Sequence, residues 1–240
     1  MGEKLFTPFR GLYWSLKLRI VDYEPETQAL DLLVPSGGTC LDVGGNFGQF
    51  AAFLSRAVGP HGQVHNFEPL PYNREILQVT LHRLGCSNVE LHPYAVGDEN
   101  RPAGVAVPGS NTGEAYLVKP DEGFPVKMIT LDEWVETAGL ARIDFIKVDV
   151  EGFEFFVLRG AERVLYKFHP TILCEITTAC RERYGHSPDD PFEFLRNLGY
   201  SPFIWQGRRL VPCDAPTDSV INYFFIHSSR PLHLGGAPKQ

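Results

Sequence analysis

The stretch LDVGGNFGQF, residues 41–50, joins a short apolar strand to a helix through a turn rich in glycine. Gly44 and Gly48 allow a tight turn and a close approach of the backbone to a ligand. In open sheets of parallel strands, ligands bind beyond the carboxyl ends of the strands. Asp42, near the end of this strand, can accept hydrogen bonds from a ligand or orient the turn. The stretch therefore predicts a binding site, with a tight turn that binds nothing as the alternative that the glycines alone leave open.

The segments that follow repeat the same alternation of strand and helix. Strand-like GQVHNFEP precedes helix-like YNREILQVTLHRLG, and NVELHPYAVG, IDFIKVDV and TILCEIT are typical of further strands. Short connections between such units predict an α/β fold with a parallel sheet and helices on both faces. Residues 97–130 are rich in Gly, Pro and short β-like runs, which predicts a small β insert. We expect a helical extension over residues 1–35, the main domain over 36–230 and a flexible tail over 231–240.

The composition limits the classes of partner. The chain of 240 residues is 43% hydrophobic, enough for a packed core, and its formal charge of 22 − 29 = −7 argues against free nucleic acid as the main partner. No window approaches the ~20 apolar residues of a membrane span. The five cysteines are odd in number and form no CxxC pair, which is typical of a reduced, cytoplasmic protein. We expect a small-molecule substrate, and the sequence leaves the oligomeric state open.

The glycine pattern of the turn argues against two common classes of nucleotide-binding site. A dinucleotide site of the G-x-G-x-x-G type would need glycine at the positions of Asn46 and Gln49, and no G-K-[ST] follows for a phosphate-binding loop. Glu68 closes the second strand in VHNFEP, where an acid is well placed to accept both ribose hydroxyls of a nucleoside. A solvated glutamate at a strand end is the alternative. Together with the glycine turn, Glu68 favours a ligand that contains a nucleoside.

Six segments carry a resemblance to a known family. LDVGGNFGQF, VHNFEPLPYN, NVELHPYAVGDEN, TLDEW, IDFIKVDVEGFEFFVLRGAERVL and PTILCEI lie in this order over about residues 38–176. Together they resemble the FkbM-type methyltransferases, which are S-adenosylmethionine-dependent enzymes of the Rossmann-like class, and IKVDVEGFEFFVLRGA is the most specific of these segments. Where that family usually has DVGAN, this chain has DVGGN, and we expect Gly45 to leave the turn intact.

The resemblance implies a class I methyltransferase fold, with a seven-stranded, mostly parallel sheet, one antiparallel strand (SVINYFFIHS) and helices on both faces. It also implies S-adenosylmethionine as the methyl donor. Residues of the turn would line the methionine and ribose side, the acid of the second strand would take the ribose hydroxyls, and residues after the third strand would border the adenine. The implied cofactor-binding residues are Asp42, Gly44, Gly45, Asn46, Gly48, Glu68, Ala95, Val96, Asp98 and Asp149.

An acidic cluster is predicted at the neighbouring strand ends. In KVDVEGFE, Lys147, Asp149 and Glu151 alternate onto one side of an extended strand, and Glu175 ends the next strand. Because neighbouring parallel strands end side by side, we expect Asp149, Glu151 and Glu175 to converge as the catalytic group, one of them a general base with a raised pKa. Such a cluster can also hold Mg²⁺ or Ca²⁺, although we do not expect a metal. The structural alternative is that Lys147 pairs with a carboxylate and Glu151 caps the following helix.

We therefore predict an S-adenosylmethionine-dependent methyltransferase that O-methylates a hydroxyl of a small molecule, sugar or secondary metabolite. An N-methyltransferase, or a glycan or lipid methyltransferase, would have the same fold. A NAD-dependent oxidoreductase is disfavoured by Asn46 and Gln49, and a nucleoside-binding module without catalysis is the non-enzymatic alternative. Arg183 and His186 follow the fifth strand, where substrates are often bound, although the composition of that segment favours a solvated loop.

Overall fold

The computed structural model describes residues 7–20, 25–109, 111–217 and 219–230. The tail predicted over 231–240 lies outside the described residues. The strands are β1 (Thr39–Val43), β2 (Gln63–Phe67), β3 (Val89–His92), β4 (Tyr94–Val96), β5 (Arg101–Ala106), β6 (Tyr116–Val118), β7 (Phe124–Ile129), β8 (Phe145–Val148), β9 (Thr171–Glu175), β10 (Tyr200–Gln206), β11 (Arg209–Pro212) and β12 (Asn222–His227). The α-helices are α1 (Thr7–Ile20), α2 (Leu30–Leu33), α3 (Gln49–Val58), α4 (Pro71–Leu84), α5 (Leu131–Thr137), α6 (Glu154–Arg159), α7 (Glu162–Phe168), α8 (Ala179–Tyr184) and α9 (Asp189–Asn197).

The large sheet carries the site at one of its edges. Among the described residues it has eight strands in the order β11-β10-β12-β9-β8-β1-β2-β3, and β3, β2, β1, β8 and β9 pair in parallel. Every residue of β1 is buried, including the polar Thr39 and Asp42, as is typical of a central strand with helices on both faces. The carboxyl ends of β1, β2 and β8 therefore lie side by side. This confirms the predicted parallel α/β sheet.

The far edge of the sheet has one strand more than the predicted seven. As expected, β12 is antiparallel to both of its neighbours, β9 and β10. The additional strand is β11, which pairs with β10 across a turn at Gly207 and Arg208, both with positive φ. Because β11 lies at an exposed edge, its sequence RLVP lacks the apolar pattern of a buried strand. The prediction of seven strands was wrong for this reason.

The segment NVELHPYAVG was predicted as one strand and forms two. Its first half, β3, joins the large sheet, and its second half, β4, pairs with β7 in a separate four-stranded sheet of order β4-β7-β5-β6. The break falls at Pro93, which has no N–H to donate to a strand ladder. The predicted β insert of 97–130 is thus confirmed, and its sheet begins slightly earlier, at Tyr94.

Helices cover both faces of the large sheet. One core cluster joins Val43 and Val148 to side chains of α5, α6, α7 and α9, while another joins Cys40 and Phe145 to α2 and α3. The expected helix in the N-terminal extension is α1, which packs on α4; a Cβ at Gly11 would lie only 2.5 Å from the Val79 side chain. None of the helices in the described part of the chain has the length and apolarity needed to cross a membrane.

Candidate active site

A cleft opens at the carboxyl ends of β1, β2 and β8, with the small sheet along its other side. Its volume is about 620 Å³, counting space that opens to solvent. The insert contributes its far wall through the turn before β6. The lining residues are Val43, Gly44, Asn46, Phe67, Glu68, Pro69, Leu70, Asn73, Tyr94, Ala95, Val96, Val105, Thr112, Gly113, Ala115, Tyr116, Leu117, Asp149, Val150 and Glu151.

The glycine turn is held between the ends of two neighbouring strands. The N–H groups of Gly44 and Gly45 both donate to the carbonyl of Phe67, at 3.0 and 3.1 Å. Gly44 has φ +83°, and a Cβ there would lie 1.8 Å from the carbonyl oxygen of Asp149. Both the backbone conformation and the space therefore require glycine at this position. Gly48, with φ +91°, begins α3 and faces Leu77 outside the cleft lining.

Asp42 lies beneath the turn, outside the cleft lining. Its side chain is fully buried, and its Oδ2 accepts a 2.7 Å hydrogen bond from the Asn66 amide. Burial raises the pKa of Asp42, and the Lys147 ammonium, 3.9 Å from Oδ1, opposes that effect. A Cβ at Gly45 would lie 2.1 Å from Asn66 Nδ2, so glycine is needed for this pair. Of the two roles considered for Asp42, its position favours orienting the turn.

Glu68 and Asn46 meet at the floor of the cleft. Glu68 Oε2 accepts the Asn46 backbone N–H at 2.8 Å, and Oε1 accepts the Leu70 N–H at 2.9 Å. Burial raises the pKa of Glu68 to about 7, although these hydrogen bonds oppose the shift. Asn46 has φ +44°, an uncommon conformation for a residue with a side chain, and such residues cluster at functional sites. Both predicted residues therefore line the cleft.

Two polar lining residues were missed by the sequence analysis, Asn73 of α4 and Thr112 of the insert. Their side-chain oxygens, and Oδ1 of Asn46, are buried and have no hydrogen-bond partner within the described residues. Buried polar atoms of this kind are nearly always satisfied, so three of them around one cleft indicate a polar ligand. Asn73 lies five residues after Glu68 in the sequence, which is the signal that could have identified it.

The other side of the cleft is apolar. Phe67, Tyr94, Ala95 and Val96 line it, and such a wall suits a planar, largely apolar ring system. Two of these, Ala95 and Val96, were predicted to border the adenine. Asp98 lies outside the cleft lining and pairs with Arg159 at 3.4 Å.

The predicted carboxylates converge at one side of the cleft, which Asp149 and Glu151 line and Glu175 does not. One oxygen each from Asp149, Glu151 and Glu175 lie within 4.8 Å of one another. Lys147 Nζ contacts Asp149 Oδ2 at 2.9 Å and donates to the Gly44 carbonyl at 3.0 Å. Burial, reinforced by the charges of Asp149 and Glu154, raises the pKa of Glu175, and the hydrogen bond with Asp149 raises this pKa further.

The helix cap in this region comes from Glu154 and not from Glu151, the glutamate that the structural alternative named. Glu154 Oε1 accepts the N–H groups of Val150 and Gly152, at 2.8 and 3.1 Å, so Glu154 and not Glu151 caps the turn. The turn bends sharply at Glu151, which has φ +59° and points to the cleft. Of the structural alternative, the pairing of Lys147 with a carboxylate is observed, whereas the cap by Glu151 is not, because Glu154 occupies that position. Burial, then the Asp149 charge, raises the pKa of Glu151.

The segment after β9 packs against this turn. Arg183 Nη1 donates to the Glu151 carbonyl at 2.6 Å and lies 3.6 Å from the Glu151 carboxylate. His186 Nε2 contacts the Gly152 carbonyl at 3.1 Å, and Tyr184 donates to the Leu117 carbonyl of the insert at 3.1 Å. The solvated loop favoured by composition is therefore a short helix and turn that join the insert to the carboxylates.

The chain is similar to several known proteins. It is 30% identical over 157 residues to the 2-O-methyltransferase NoeI of Sinorhizobium fredii, covering 58% of this chain and 64% of that protein. It is 28% identical over 155 residues to the hexuronic acid methyltransferase AglP of Haloferax volcanii, covering 61% of each chain. The chain thus spans less than two thirds of the length of these relatives.

Comparison with solved structures and with a family model agrees with the fold. The crystal structure of methyltransferase FkbM from Methylobacillus flagellatus KT superposes with a TM-score of 0.54 at 18% identity, over 91% of this chain and 59% of that one. At this identity the likeness shows the shared fold. The model of the methyltransferase FkbM domain matches residues 42–202, which include the glycine turn, the β insert and the carboxylate cluster. The chain therefore belongs to the FkbM methyltransferase family.

Proposed function

We propose that this protein transfers a methyl group from S-adenosylmethionine to a hydroxyl group of a small molecule or sugar. The observation that carries the proposal is a single cleft that joins a nucleoside-type half to a carboxylate half. Glu68 and Asn46 lie in the first half, and Asp149 and Glu151 lie in the second. Family membership supports methyl transfer, and the similarity to the 2-O-methyltransferase NoeI supports oxygen as the accepting atom.

The nucleoside half fits the cofactor in polarity and shape. Glu68 faces the cleft with a carboxylate that can accept ribose hydroxyls, and the orphan oxygens of Asn46, Asn73 and Thr112 offer further acceptors. The apolar wall around Val96 suits the adenine. Glycine at position 44 lets the turn pack against the Asp149 carbonyl, which brings the turn backbone to the edge of the cleft.

The carboxylate half supplies the groups that a hydroxyl acceptor needs. S-adenosylmethionine, when bound, supplies an electrophilic methyl carbon. We assign Glu151 as the general base, because its pKa is raised towards the operating pH and its side chain lines the cleft. Asp149, which Lys147 contacts at 2.9 Å, orients the acceptor, and Glu175 hydrogen-bonds Asp149. Correct placement of the acceptor supplies most of the remaining rate enhancement.

The acceptor class follows from the relatives and from the cleft. A 2-O-methyltransferase and a hexuronic acid methyltransferase are among the proteins that the chain resembles, which favours a hydroxylated ring as the acceptor. Carboxylates such as Asp149 and Glu151 are suitable acceptors for hydroxyl hydrogen bonds. We place the methyltransferase domain within residues 36–230, with residues 1–35 as a helical extension. We also propose that the protein acts in the cytoplasm.

A methyl-transfer assay tests the proposal. Methyl-labelled S-adenosylmethionine is incubated with glucose, glucuronate, glucosamine and catechol, each with Mg²⁺ or with EDTA, and the products are identified by NMR. We expect a methyl ether on at least one hydroxylated acceptor, and a loss of turnover of about 10²–10⁴-fold in Glu151→Gln. Transfer to the glucosamine nitrogen alone would overturn oxygen as the accepting atom. Full activity of Glu151→Gln would overturn the assignment of the base.

A further inference from the structure

A second cluster of side chains that could bind a metal ion lies away from Asp149, Glu151 and Glu175, on the face of β2 and β3 that α5 covers. His65 Nδ1 is 3.2 Å from His92 Nε2 and 3.5 Å from Glu90 Oε2. One donor atom from each of the three side chains lies within 4.8 Å of the other two. Zinc bonds of about 2.0–2.1 Å in a tetrahedral site place neighbouring ligand atoms about 3.3–3.4 Å apart. The two measured separations therefore match the edges of a tetrahedral zinc site.

Hydrogen-bond acceptors outnumber donors among the three facing atoms of the cluster. A neutral imidazole carries one N–H, and a carboxylate carries none. Because N–H groups on both facing nitrogens would point at each other across 3.2 Å, the three facing atoms share one N–H at most. If His65 Nδ1 carries that proton, His92 and Glu90 compete for it; if His92 carries it, the Glu90 carboxylate faces a lone pair. A divalent cation among the three atoms satisfies all of these lone pairs.

In the part of the chain that the structure describes, no hydrogen bond at Nε2 of His65 determines which of its two ring nitrogens carries the proton. His65 Nε2 is buried and has no hydrogen-bond partner within the described residues. Because the tautomer of a histidine is set by what its other nitrogen bonds, the ring can carry its proton on Nε2 and present the Nδ1 lone pair to the cluster.

Aromatic side chains cover one side of the cluster, and the other side, at Glu90, is exposed to solvent. The Trp134 ring lies 5.0 Å from His65 and 4.8 Å from His92, and Phe67, a residue of the apolar cleft wall, lies 5.0 Å from His92. Both histidines are less than 9% exposed, whereas the Glu90 side chain is 68% exposed. A fourth ligand can therefore come from water on the side of Glu90.

We propose that His65, Glu90 and His92 form a zinc site that links β2 to the edge strand β3 behind the nucleoside half of the cleft. Two imidazoles and one carboxylate suit Zn²⁺, whereas Mg²⁺ and Ca²⁺ prefer an all-oxygen set. The role is structural, since the metal joins the strand that carries Phe67 to its neighbour. The inference does not depend on the proposed methyl transfer.

Zinc titration of untagged, chelator-stripped protein tests this site. We expect one Zn²⁺ per chain with micromolar or tighter affinity, a rise in Tm on binding, and the visible absorption bands of tetrahedral Co²⁺ when cobalt replaces zinc. Glu90→Gln and His92→Gln should each weaken zinc binding by at least about tenfold, since even residues behind the ligands commonly cost this much. Glu90→Gln alters an exposed side chain and keeps the fold, so its result is interpretable even if His92→Gln unfolds.

Two variants serve as matched controls. His61→Gln removes an exposed histidine outside the cluster, and Glu175→Gln alters the other group of potential ligands. Both should bind zinc as the wild type does. The proposal is overturned if the wild type binds no zinc at 100 µM, if Glu90→Gln binds as tightly as the wild type, or if the loss of affinity follows Glu175→Gln.

Discussion

Replacing Glu154 with glutamine should stabilise the free protein at alkaline pH and not at acidic pH. Glu154 is 2% exposed, and one of its oxygens, Oε1, accepts both backbone N–H groups of the turn. Glutamine keeps a carbonyl oxygen at that position, so the cap is retained while the ionisable group is removed. The variant therefore isolates the free-energy cost of ionising a buried carboxyl group.

The magnitude follows from the pKa of Glu154. Burial raises it from the ordinary 4.5 to about 7, with the backbone hydrogen bonds opposing the shift. At about 1.4 kcal/mol for each pKa unit, the difference corresponds to about 3 kcal/mol. Because the folded protein binds the proton more tightly than the unfolded chain, this contribution is fully present below pH 4.5. It is lost as the pH rises to about 7, and the glutamine variant does not undergo this loss.

Urea unfolding followed by tryptophan fluorescence, at about pH 5 and about pH 8, measures the effect. The free energy of unfolding of Glu154→Gln, relative to the wild type, should increase by about 2–3 kcal/mol between these values. Other carboxyl groups titrate in both proteins and largely cancel in the comparison. Glu162→Gln, which alters an exposed glutamate at the start of α7, is the matched control and should show no such change. A difference that is independent of pH, or one that decreases towards pH 8, would show that ionisation of Glu154 does not destabilise the folded protein.

Two further changes test the cofactor half of the cleft. Glu68→Ala should weaken S-adenosylmethionine binding by about 1–3 kcal/mol in calorimetry, because hydrogen-bonding groups lose their partner; unchanged affinity would move the ribose contact elsewhere. Gly44→Ala should lower Tm and abolish cofactor binding, since its Cβ would lie 1.8 Å from the Asp149 carbonyl at φ +83°. Gly139→Ala, also at positive φ but with open space around it, is the control, and an equal loss of binding there would contradict the close-approach argument.

The sequence predicts most of the features that depend on strand ends. The glycine turn, Glu68 and the convergence of Asp149 with Glu175 follow from the rule that parallel strands present their carboxyl ends at one edge. The position of a residue at the end of a strand depends on the local sequence alone. Spacing along the chain is therefore sufficient to predict that these residues lie at the same edge.

Features that depend on how distant segments pack were not predictable in this way. The roles of Asn73 and Thr112 arise only when the insert folds back over α4, where Asn73 Nδ2 donates to the Thr112 carbonyl at 3.3 Å. The cap by Glu154 depends on the sharp turn at Glu151, which no extended pattern indicates. The edge strand β11 is stabilised by its hairpin partner and lacks an apolar pattern of its own.

The identity of the cofactor is decided by calorimetric titration of the purified protein with S-adenosylmethionine, S-adenosylhomocysteine and NAD. We expect micromolar binding of both adenosyl ligands and no binding of NAD, because the cleft offers Glu68 to a ribose while Asn46 and Gln49 replace the glycines of a dinucleotide site. Absence of binding by both adenosyl ligands in folded protein would contradict the proposed cofactor. Binding of NAD alone would favour an oxidoreductase instead.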